Sequence, residues 1–303
     1  MTTTRHNSRW PAGLDMPLAG LDRYLTGAHP FQTERLTPLW LKRLYRKMWG
    51  GRYPGPFEWR VERHGDLIAS AQVNGAFDPA GLQRSTGVVI TSWNRPQYLR
   101  ACLHSLAHSA LQDAVVILVD DASDDPETQN ILADFDLPTP LVKLVKTRRT
   151  NMHVGLDIGW CLAQNLGCRY LCNLDADAIV RHDWLDTLRA LFESLPYDPD
   201  TVVLSGFNRS NSPCVLEVHD HYLRKYRMGG INYFFTPAWF DTVRFLLFNE
   251  NWDSHIQYYC GSLHARRFRL LCCKPSVVQH IGEQGFNSGV NSAFDRADDF
   301  VAD

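Results

Sequence analysis

Between Thr86 and Val180 short apolar runs rich in β-branched residues alternate with segments of helical period, and each run breaks off in polar residues. The runs are Gly87-Val88-Val89-Ile90-Thr91-Ser92, Val115-Val116-Ile117-Leu118-Val119-Asp120-Asp121, Val142 to Lys146, and Tyr170-Leu171-Cys172-Asn173-Leu174-Asp175-Ala176-Asp177. A helical pattern from about Gln97 to Ala110 separates the first two, so strand, helix and strand make a βαβ unit. Repeated, that order predicts an α/β fold with a Rossmann-like, mixed but mostly parallel sheet flanked by helices. Ligands of such sheets bind outside the carboxyl ends of the strands, which directs attention to the polar residues that end each run.

Asp175-Ala176-Asp177 is the sharpest of these endings. Positions two apart in a strand point the same way, and two aspartates so placed can share a divalent cation. For an isolated Asp-x-Asp a solvated exit from a strand is the commoner situation. Here two more strand ends, at Thr91 to Asn94 and at Asp120-Asp121, bring polar groups to the same crevice.

With 31 basic and 33 acidic residues the net charge is -2, so no global field attracts a polyanion, and nucleic acid is disfavoured as a partner. The 303 residues, 45% hydrophobic, suffice for one large domain or two small ones. The N-terminus lacks a signal-peptide core and no uncharged stretch is long enough to span a bilayer, which leads to the expectation of a cytoplasmic protein. Of the eight cysteines, Cys102, Cys161, Cys168 and Cys172 fall in or beside predicted helices and a buried strand, as reduced thiols do. Neither Cys168 with Cys172 nor Cys272 with Cys273 has the spacing of a zinc site.

Residues 1–85 read as a mainly helical extension of unknown role. Its segment 36–49 sets Arg43, Arg46 and Lys47 among Leu41, Leu44, Tyr45 and Met48, the pattern of a helix docked by its apolar face. Peripheral contact with the inner membrane surface is the sharper alternative for such a basic amphipathic helix. A turn-rich stretch, Arg52 to Pro56, then leads to an expected hairpin of Glu58–Arg63 with Leu67–Ala69.

Taken together, the three strand-end blocks resemble the family 2 type of glycosyltransferase with the GT-A fold, over about Gly87 to Ser288. Val88 to Pro96 with Tyr98-Leu99 resembles that family's first strand and nucleotide loop, which includes Trp93 and Asn94; Val119 to Asp125 resembles its second strand and acidic turn. Leu174-Asp175-Ala176-Asp177 resembles its DXD motif. The last third is similar to inverting N-acetylglucosaminyltransferases of the same fold, through Phe235-Thr236-Pro237-Ala238-Trp239, Trp252-Asp253 and Lys274 to Gly282. The resemblance implies a domain at 86–303, with a nucleotide-binding half at 86–180 and an acceptor half at 181–303. It also implies that Thr91 and Asp121 hold the nucleobase, that Asp121 accepts the uracil imide proton, and that Asp120 shapes the same turn. Asp177 would bind the metal directly, Asp175 would face ribose or the metal's shell, His280 would be a further ligand, and Asp253 the general base. One departure from the pattern is the usual Gly-x-x-x-Ala-Arg-Asn helix start, which becomes Asn151-Met152-His153-Val154-Gly155-Leu156-Asp157. With the expected Arg missing, Arg148 or Arg149 is left to approach the diphosphate.

The chemistry implied is coherent. Mn²⁺ or Mg²⁺ on these carboxylates would neutralise a departing nucleoside diphosphate, and a histidine in the set favours Mn²⁺. Inversion requires a carboxylate within reach of the attacking hydroxyl. Asp253 is chosen because Trp252 beside it could wall the sugar or acceptor; a helix cap is the alternative role for Asp253, and Glu250 the reserve base. The glycine-rich stretch Ile281 to Gly289 after His280 could close over a donor as a lid. His219, Asp220 and His221 suit acceptor contact or a solvated loop better than a metal. The expectation is an inverting, metal-dependent enzyme moving a sugar from a UDP-sugar to a hydroxyl of a glycan, a lipid-linked oligosaccharide or another acceptor, in glycan or surface polysaccharide synthesis. Alternatives are a non-catalytic nucleotide-sugar-binding module, transfer to protein or modified nucleic acid, and a nucleotidyltransferase. The last would carry a Gly-rich, Lys- or Arg-bearing loop where this chain has Thr91-Ser92-Trp93-Asn94.

Overall fold

A computed structural model of the chain describes residues 21, 23–34, 57–74, 80, 83–209, 214–283 and 295–302. In chain order the strands are β1 (Ala28–Glu34), β2 (Phe57–Arg63), β3 (Ile68–Val73), β4 (Thr86–Ser92), β5 (Ala114–Asp120), β6 (Leu141–Lys146), β7 (Tyr170–Asp175), β8 (Ala178–Val180), β9 (Val202–Ser205), β10 (Val215–Val218), β11 (Tyr222–Lys225), β12 (Phe234–Phe235), β13 (Arg269–Cys273) and β14 (Val278–His280). The α-helices are α1 (Pro96–Ala107), α2 (Pro126–Asp134), α3 (Met152–Asn165), α4 (Trp184–Ser194), α5 (Pro237–Val243) and α6 (Trp252–Tyr258).

Ten strands form one mixed sheet in the order β10-β11-β13-β9-β12-β7-β4-β5-β6-β3. Its centre, β7-β4-β5-β6, is parallel, as the alternation in sequence demands. β13 also pairs in parallel with β9, while the remaining five pairings of this sheet are antiparallel, so within it antiparallel pairings outnumber parallel ones five to four. The excess comes mainly from the second half, where short connections such as the one between β10 and β11 can only reverse the chain. Register aligns the functional ends: Ser92 of β4 stands opposite Asp120 of β5, and Thr91 opposite Asp175 of β7. A separate pair, β14 with β8, sets His280 opposite Ala178, next to Asp177.

β4 and β5 are buried along their whole length, and alternate residues feed two cores. Val89, Val115 and Ile117 pack with Trp160, Phe235, Trp239 and Trp252 on one face; Val88, Ile90 and Leu118 pack with Leu103, Trp184 and Phe234 on the other. Helix α3 lies flush on β4 because its contact face is small. A Cβ on Gly159 would come to 2.3 Å from Val89 Cγ1, one on Gly155 to 2.9 Å from Thr91 Cγ2, and one on Gly87 to 2.4 Å from Ala163 Cβ. Gly155, Gly159 and Ala163 recur every four residues, which puts them on one helix face.

Before Ser85 the described regular structure is three strands and a short 3-10 turn at Gly65–Leu67. The expected hairpin does not form: β2 pairs with β1, and β3 goes to the edge of the main sheet, antiparallel to β6. The turn at Gly65–Leu67 separates the partners, and β3 finds a better-buried edge than β2 could offer, with Ala71 and Val73 in the core. The basic segment 36–49 and the turn at 52–56 lie outside the described residues. His64, just after β2, ties this region down, since its Nε2 lies 2.7 Å from Asp157 Oδ2 on α3. Arg244 donates to both oxygens of Asp157, at 2.7 and 3.0 Å. His64, Asp157 and Cys161 have metal-ligating atoms close together, yet the guanidinium already claims the carboxylate, and the cluster is an ion-pair network.

Overpacking at the α3–β4 contact should be costly. Gly159→Ala is expected to lower unfolding free energy by about 1–3 kcal/mol, read by urea denaturation, since Val89 and the helix must move apart. An unchanged midpoint would contradict flush packing.

Candidate active site

The first two strand ends are stitched to each other by side chains. Asn94, in the left-handed region at φ 51°, donates through Nδ2 to Asp124 Oδ1 at 2.8 Å and accepts through Oδ1 from the backbone N–H groups of Asp124 and Asp125 at 3.1 and 3.0 Å. Its own N–H donates to Ser123 Oγ at 2.9 Å. Asp120 closes the neighbouring turn, accepting from Ser123 N–H at 2.8 Å, from Ser123 Oγ at 2.6 Å and from Ser92 Oγ at 3.1 Å. Burial raises its pKa against these hydrogen bonds. Trp93 projects from the same loop, 37% exposed, with the Arg149 guanidinium 3.3 Å from its ring centroid. That stack sets a cation over an aromatic face beside the end of β4.

Asp121 is buried, and its carboxylate accepts the N–H groups of Thr150 at 2.8 Å and Asn151 at 2.9 Å and is ion-paired with Lys146. Lys146 is itself buried at the end of β6; burial lowers its pKa, and Asp121 works the other way. Of the roughly four acceptor positions of a carboxylate, three are therefore filled, leaving one on Oδ2 for a donor from a ligand. Thr91, buried at the end of β4, lies against Gly155. Arg148 takes a different course, donating to both carboxylate oxygens of Glu62 on β2.

At the end of β7 the carboxylates converge. Asp175 Oδ1 is buried without a hydrogen-bond partner among the described residues. Burial, then the charges of Asp177 and Asp253, push Asp175 well above the usual carboxylate range. Asp177 goes the other way: burial alone would raise it, but His280 and Arg95 hold it below its ordinary value. Arg95 Nη1 donates to Asp177 Oδ2 at 2.8 Å, and His280 Nε2 stands 3.5 Å from the same oxygen. His280 Nδ1 faces the Asp295 carbonyl at 3.2 Å; with a proton on Nδ1, Nε2 is left as the ligating nitrogen. Burial disfavours the imidazolium, but Asp177 and Asp295 bring its pKa above the ordinary value. The backbone follows the same centre, with Ile281 N–H donating to Asp177 O at 2.8 Å and no room for a side chain on Gly282, whose Cβ would fall 2.2 Å from Asp177 Oδ2.

The unpartnered oxygen of Asp175, the Asp177 carboxylate and the His280 imidazole 3.5 Å from it are donor types that suit a divalent cation of the Mn²⁺ or Mg²⁺ type, although among the described residues only His64, Asp157 and Cys161 already bring three ligating atoms within 4.8 Å of one another. Asp253 lies near enough to raise the pKa of Asp175, and its own is raised by burial. It accepts from Ser254 N–H at 2.6 Å and Gln257 Nε2 at 3.2 Å, one turn along α6. It does not cap that helix, whose N-cap is Asn251. Trp252 is not a wall: it is buried edge-on against Trp160 and Tyr233, at 5.8 and 5.6 Å between centroids, and serves as the base on which Asp253 stands. Gly230 lets the two approach, since a Cβ there would lie 2.9 Å from both Asp253 Cβ and Trp252 Cζ2. His219 pairs with Glu217 and stacks on Tyr222 beside β10, six strands from β4 and apart from this cluster. Of the stretch Ile281 to Gly289, residues 284–289 lie outside the described residues.

Arg95, Lys146, Gly230 and Gly282 were not singled out by sequence reasoning. Arg95 could have been, because it sits in the first block directly before Pro96 and therefore at a helix start near the strand ends. The two glycines give no such signal without the fold.

The family model described as glycosyl transferase family 2 matches residues 87–271, more than half of the chain. The chain belongs to that family. No curated protein matches. Among solved structures, the chain is similar to a crystal structure of GalNAc-T7 with UDP, GalNAc and Mn²⁺, at 16% identity and a TM-score of 0.51, covering 68% of this chain and 45% of that one. It is also similar to a mannosyltransferase from Pyrobaculum calidifontis in complex with GDP-Man and Mn²⁺, at 15% identity, a TM-score of 0.47, and coverage of 66% and 59%. The S. aureus TarS 1-349 structure matches at 15% identity and a TM-score of 0.46, over 61% of this chain and 57% of that one. The chain thus spans less than two thirds of the length of each of these structures. The GalNAc-T7 likeness, together with the family, identifies the fold as GT-A.

The strained protonation of Asp175 has a stability consequence. Because its folded pKa lies above the unfolded one, the folded state is favoured below that raised pKa and loses stability as pH rises through it. Asp175→Asn is therefore expected to raise the melting temperature at pH 7, without added metal, by a few degrees, and to flatten the decline of stability above pH 4. A lower melting temperature for the variant would contradict this.

Proposed function

We propose that this chain is an inverting, divalent-cation-dependent glycosyltransferase that moves a sugar from a UDP-sugar to an acceptor hydroxyl, in glycan or surface polysaccharide synthesis. The observation that carries the reading is the placement of His280 beside Asp177, with Asp253 in electrostatic reach of Asp175, at the carboxyl edge of parallel strands whose neighbouring loops carry Trp93, Asn94 and Asp121. The GalNAc-T7 structure, the same fold with UDP and Mn²⁺, supports donor and metal class.

In this reading the remaining acceptor position on Asp121 takes the uracil imide N–H, with Thr91 beside it at the end of β4. Asn94 and Asp120 hold the two loops in register around the base, and the Trp93–Arg149 stack closes one side while leaving a cation near the diphosphate. Mn²⁺ or Mg²⁺ held by Asp177, Asp175 and His280 would neutralise charge developing on the leaving diphosphate. Asp253 takes the proton of the acceptor hydroxyl as that oxygen bonds to the anomeric carbon from the face opposite the breaking bond to the diphosphate. Its raised pKa makes it a stronger base than a solvated aspartate. The acceptor half, 181–303, supplies this base, and a glycan or lipid-linked hydroxyl is the acceptor class proposed. A cytoplasmic location, with peripheral contact to the inner membrane surface through 36–49, completes the proposal. Among the described residues no helix is long and apolar enough to cross a membrane.

The test is metal-dependent turnover of UDP-sugars, with the anomeric configuration of the product read by NMR. Asp253→Asn is expected to lower kcat by about 10²- to 10⁴-fold while donor affinity is retained. Asp177→Ala should lose both turnover and the metal requirement of nucleotide binding. The acidic limb of kcat/KM against pH should lie above the ordinary aspartate value of about 3.9, because only ionised Asp253 can take the proton. Nucleotide-sugar binding without transfer, indifferent to Asp253→Asn, would point to a non-catalytic module instead.

A further inference from the structure

We infer that Arg95 is the built-in counter-ion of the metal site: its guanidinium holds the Asp177 oxygen on which a divalent cation must land, and releases it when cation and nucleoside diphosphate bind together. The inference rests on the proposed metal and donor site and adds to it a residue that couples the two ligands.

The geometry is specific. Arg95 Nη1 lies 2.8 Å from Asp177 Oδ2, the oxygen that also faces His280 Nε2 at 3.5 Å. A side chain on Gly282 would collide with that oxygen at 2.2 Å, so the peptide side of Asp177 is closed and the guanidinium covers another approach. Arg95 is presented by two successive residues in the left-handed region, Asn94 at φ 51° and Arg95 at φ 62°. Non-glycine residues adopt that conformation rarely and at a cost, so a pair of them signals a loop shaped for placement. The Tyr98 ring lies 4.4 Å from the guanidinium carbon and supports it from the first turn of α1.

Charge explains why the residue is needed and why it must move. Arg95 brings a cation directly onto the Asp177 carboxylate. A divalent ion on Asp177 would bring a second, larger positive charge to the oxygen that Arg95 already holds, and the two cations repel. The Arg95 side chain is 34% exposed, so part of it already reaches solvent. A diphosphate in the crevice offers it a better partner, because a planar guanidinium matches phosphate oxygens in a bidentate manner. Metal alone breaks the Arg95–Asp177 pair, whereas metal with diphosphate also brings phosphate oxygens to the guanidinium. The two ligands bind with positive cooperativity, and linkage makes the coupling equal in both directions.

Isothermal titration calorimetry of Mn²⁺, with and without UDP, tests this on the wild type, Arg95→Asn and Arg95→Lys. Asn tolerates a left-handed backbone, so Arg95→Asn should keep the loop, and melting curves without metal check that it does. The expected result is that Arg95→Asn binds Mn²⁺ alone about tenfold more tightly than wild type, the scale of losing one charge-assisted competitor. In the same variant the enhancement of Mn²⁺ affinity by UDP should shrink by a similar factor, with Arg95→Lys between the two. Unchanged or weaker Mn²⁺ binding by Arg95→Asn, with the enhancement by UDP intact, would overturn the counter-ion role while leaving the metal site standing. Mn²⁺ binding that survives Asp177→Asn would instead overturn the metal-site reading itself.

Discussion

Asp177 and Asp253 both act on Asp175 in surroundings largely closed to water, and each makes its ionisation harder. Like charges gathered at low exposure cost folding energy, and a chain keeps them only where something else is stabilised by them. The local structure answers this repulsion piece by piece. Arg95 and His280 hold Asp177 ionised, the Asp295 carbonyl orients His280, and Asp253 leans on the N–H of Ser254 and the amide of Gln257. Of the three aspartates, Asp175 has a buried oxygen, Oδ1, with no hydrogen bond among the described residues, an oxygen that a cation would satisfy.

The fold delivers these groups to one place by register rather than by local sequence. Thr91 opposite Asp175 and Ser92 opposite Asp120 align three strand ends, and β14 beside β8 brings His280 back from a hundred residues later in the chain. Alignment of this kind needs a rigid platform. Gly155, Gly159 and Ala163 let α3 lie directly on β4, so the helix that begins at the Asp121 contacts is held to the strand that carries Thr91. A second polar network, His64, Asp157 and Arg244, joins the early segment, α3 and the end of α5. Removing Arg244 would leave the buried Asp157 carboxylate without its ion-pair partner, at a cost in stability.

Much of this was legible before the fold was known. The parallel centre followed from uninterrupted β-branched runs between helical patterns, and the acidic strand ends followed from where those runs stopped. The fold sets His280 beside Asp177 and brings Asp253 within electrostatic reach of Asp175, although nearly eighty residues separate Asp177 from Asp253; their roles as ligands and base belong to the proposal. What stayed hidden depends on distant contacts. The pairing of β3 with β6 instead of β2 is decided by burial at a sheet edge that no short window contains. Trp252 reads as a surface aromatic beside an acid, but Trp160 and Tyr233 draw it into the core. Lys146 is only the last residue of a strand run in the sequence, and its burial depends on the turn at Thr150 and Asn151 closing over it with Asp121. Gly230 and Gly282 matter through the space they leave, which sequence spacing does not encode.

The central claim is that these strand ends form a nucleotide-sugar site completed by a divalent cation. Thermal stability of the purified protein against a panel of nucleotides and nucleotide sugars, with Mn²⁺, Mg²⁺ or EDTA, tests it directly, since a ligand of the folded state raises the melting temperature by mass action. The account predicts stabilisation by UDP or one UDP-sugar that requires the metal and disappears with EDTA. No shift with any nucleotide in the presence of metal would contradict it.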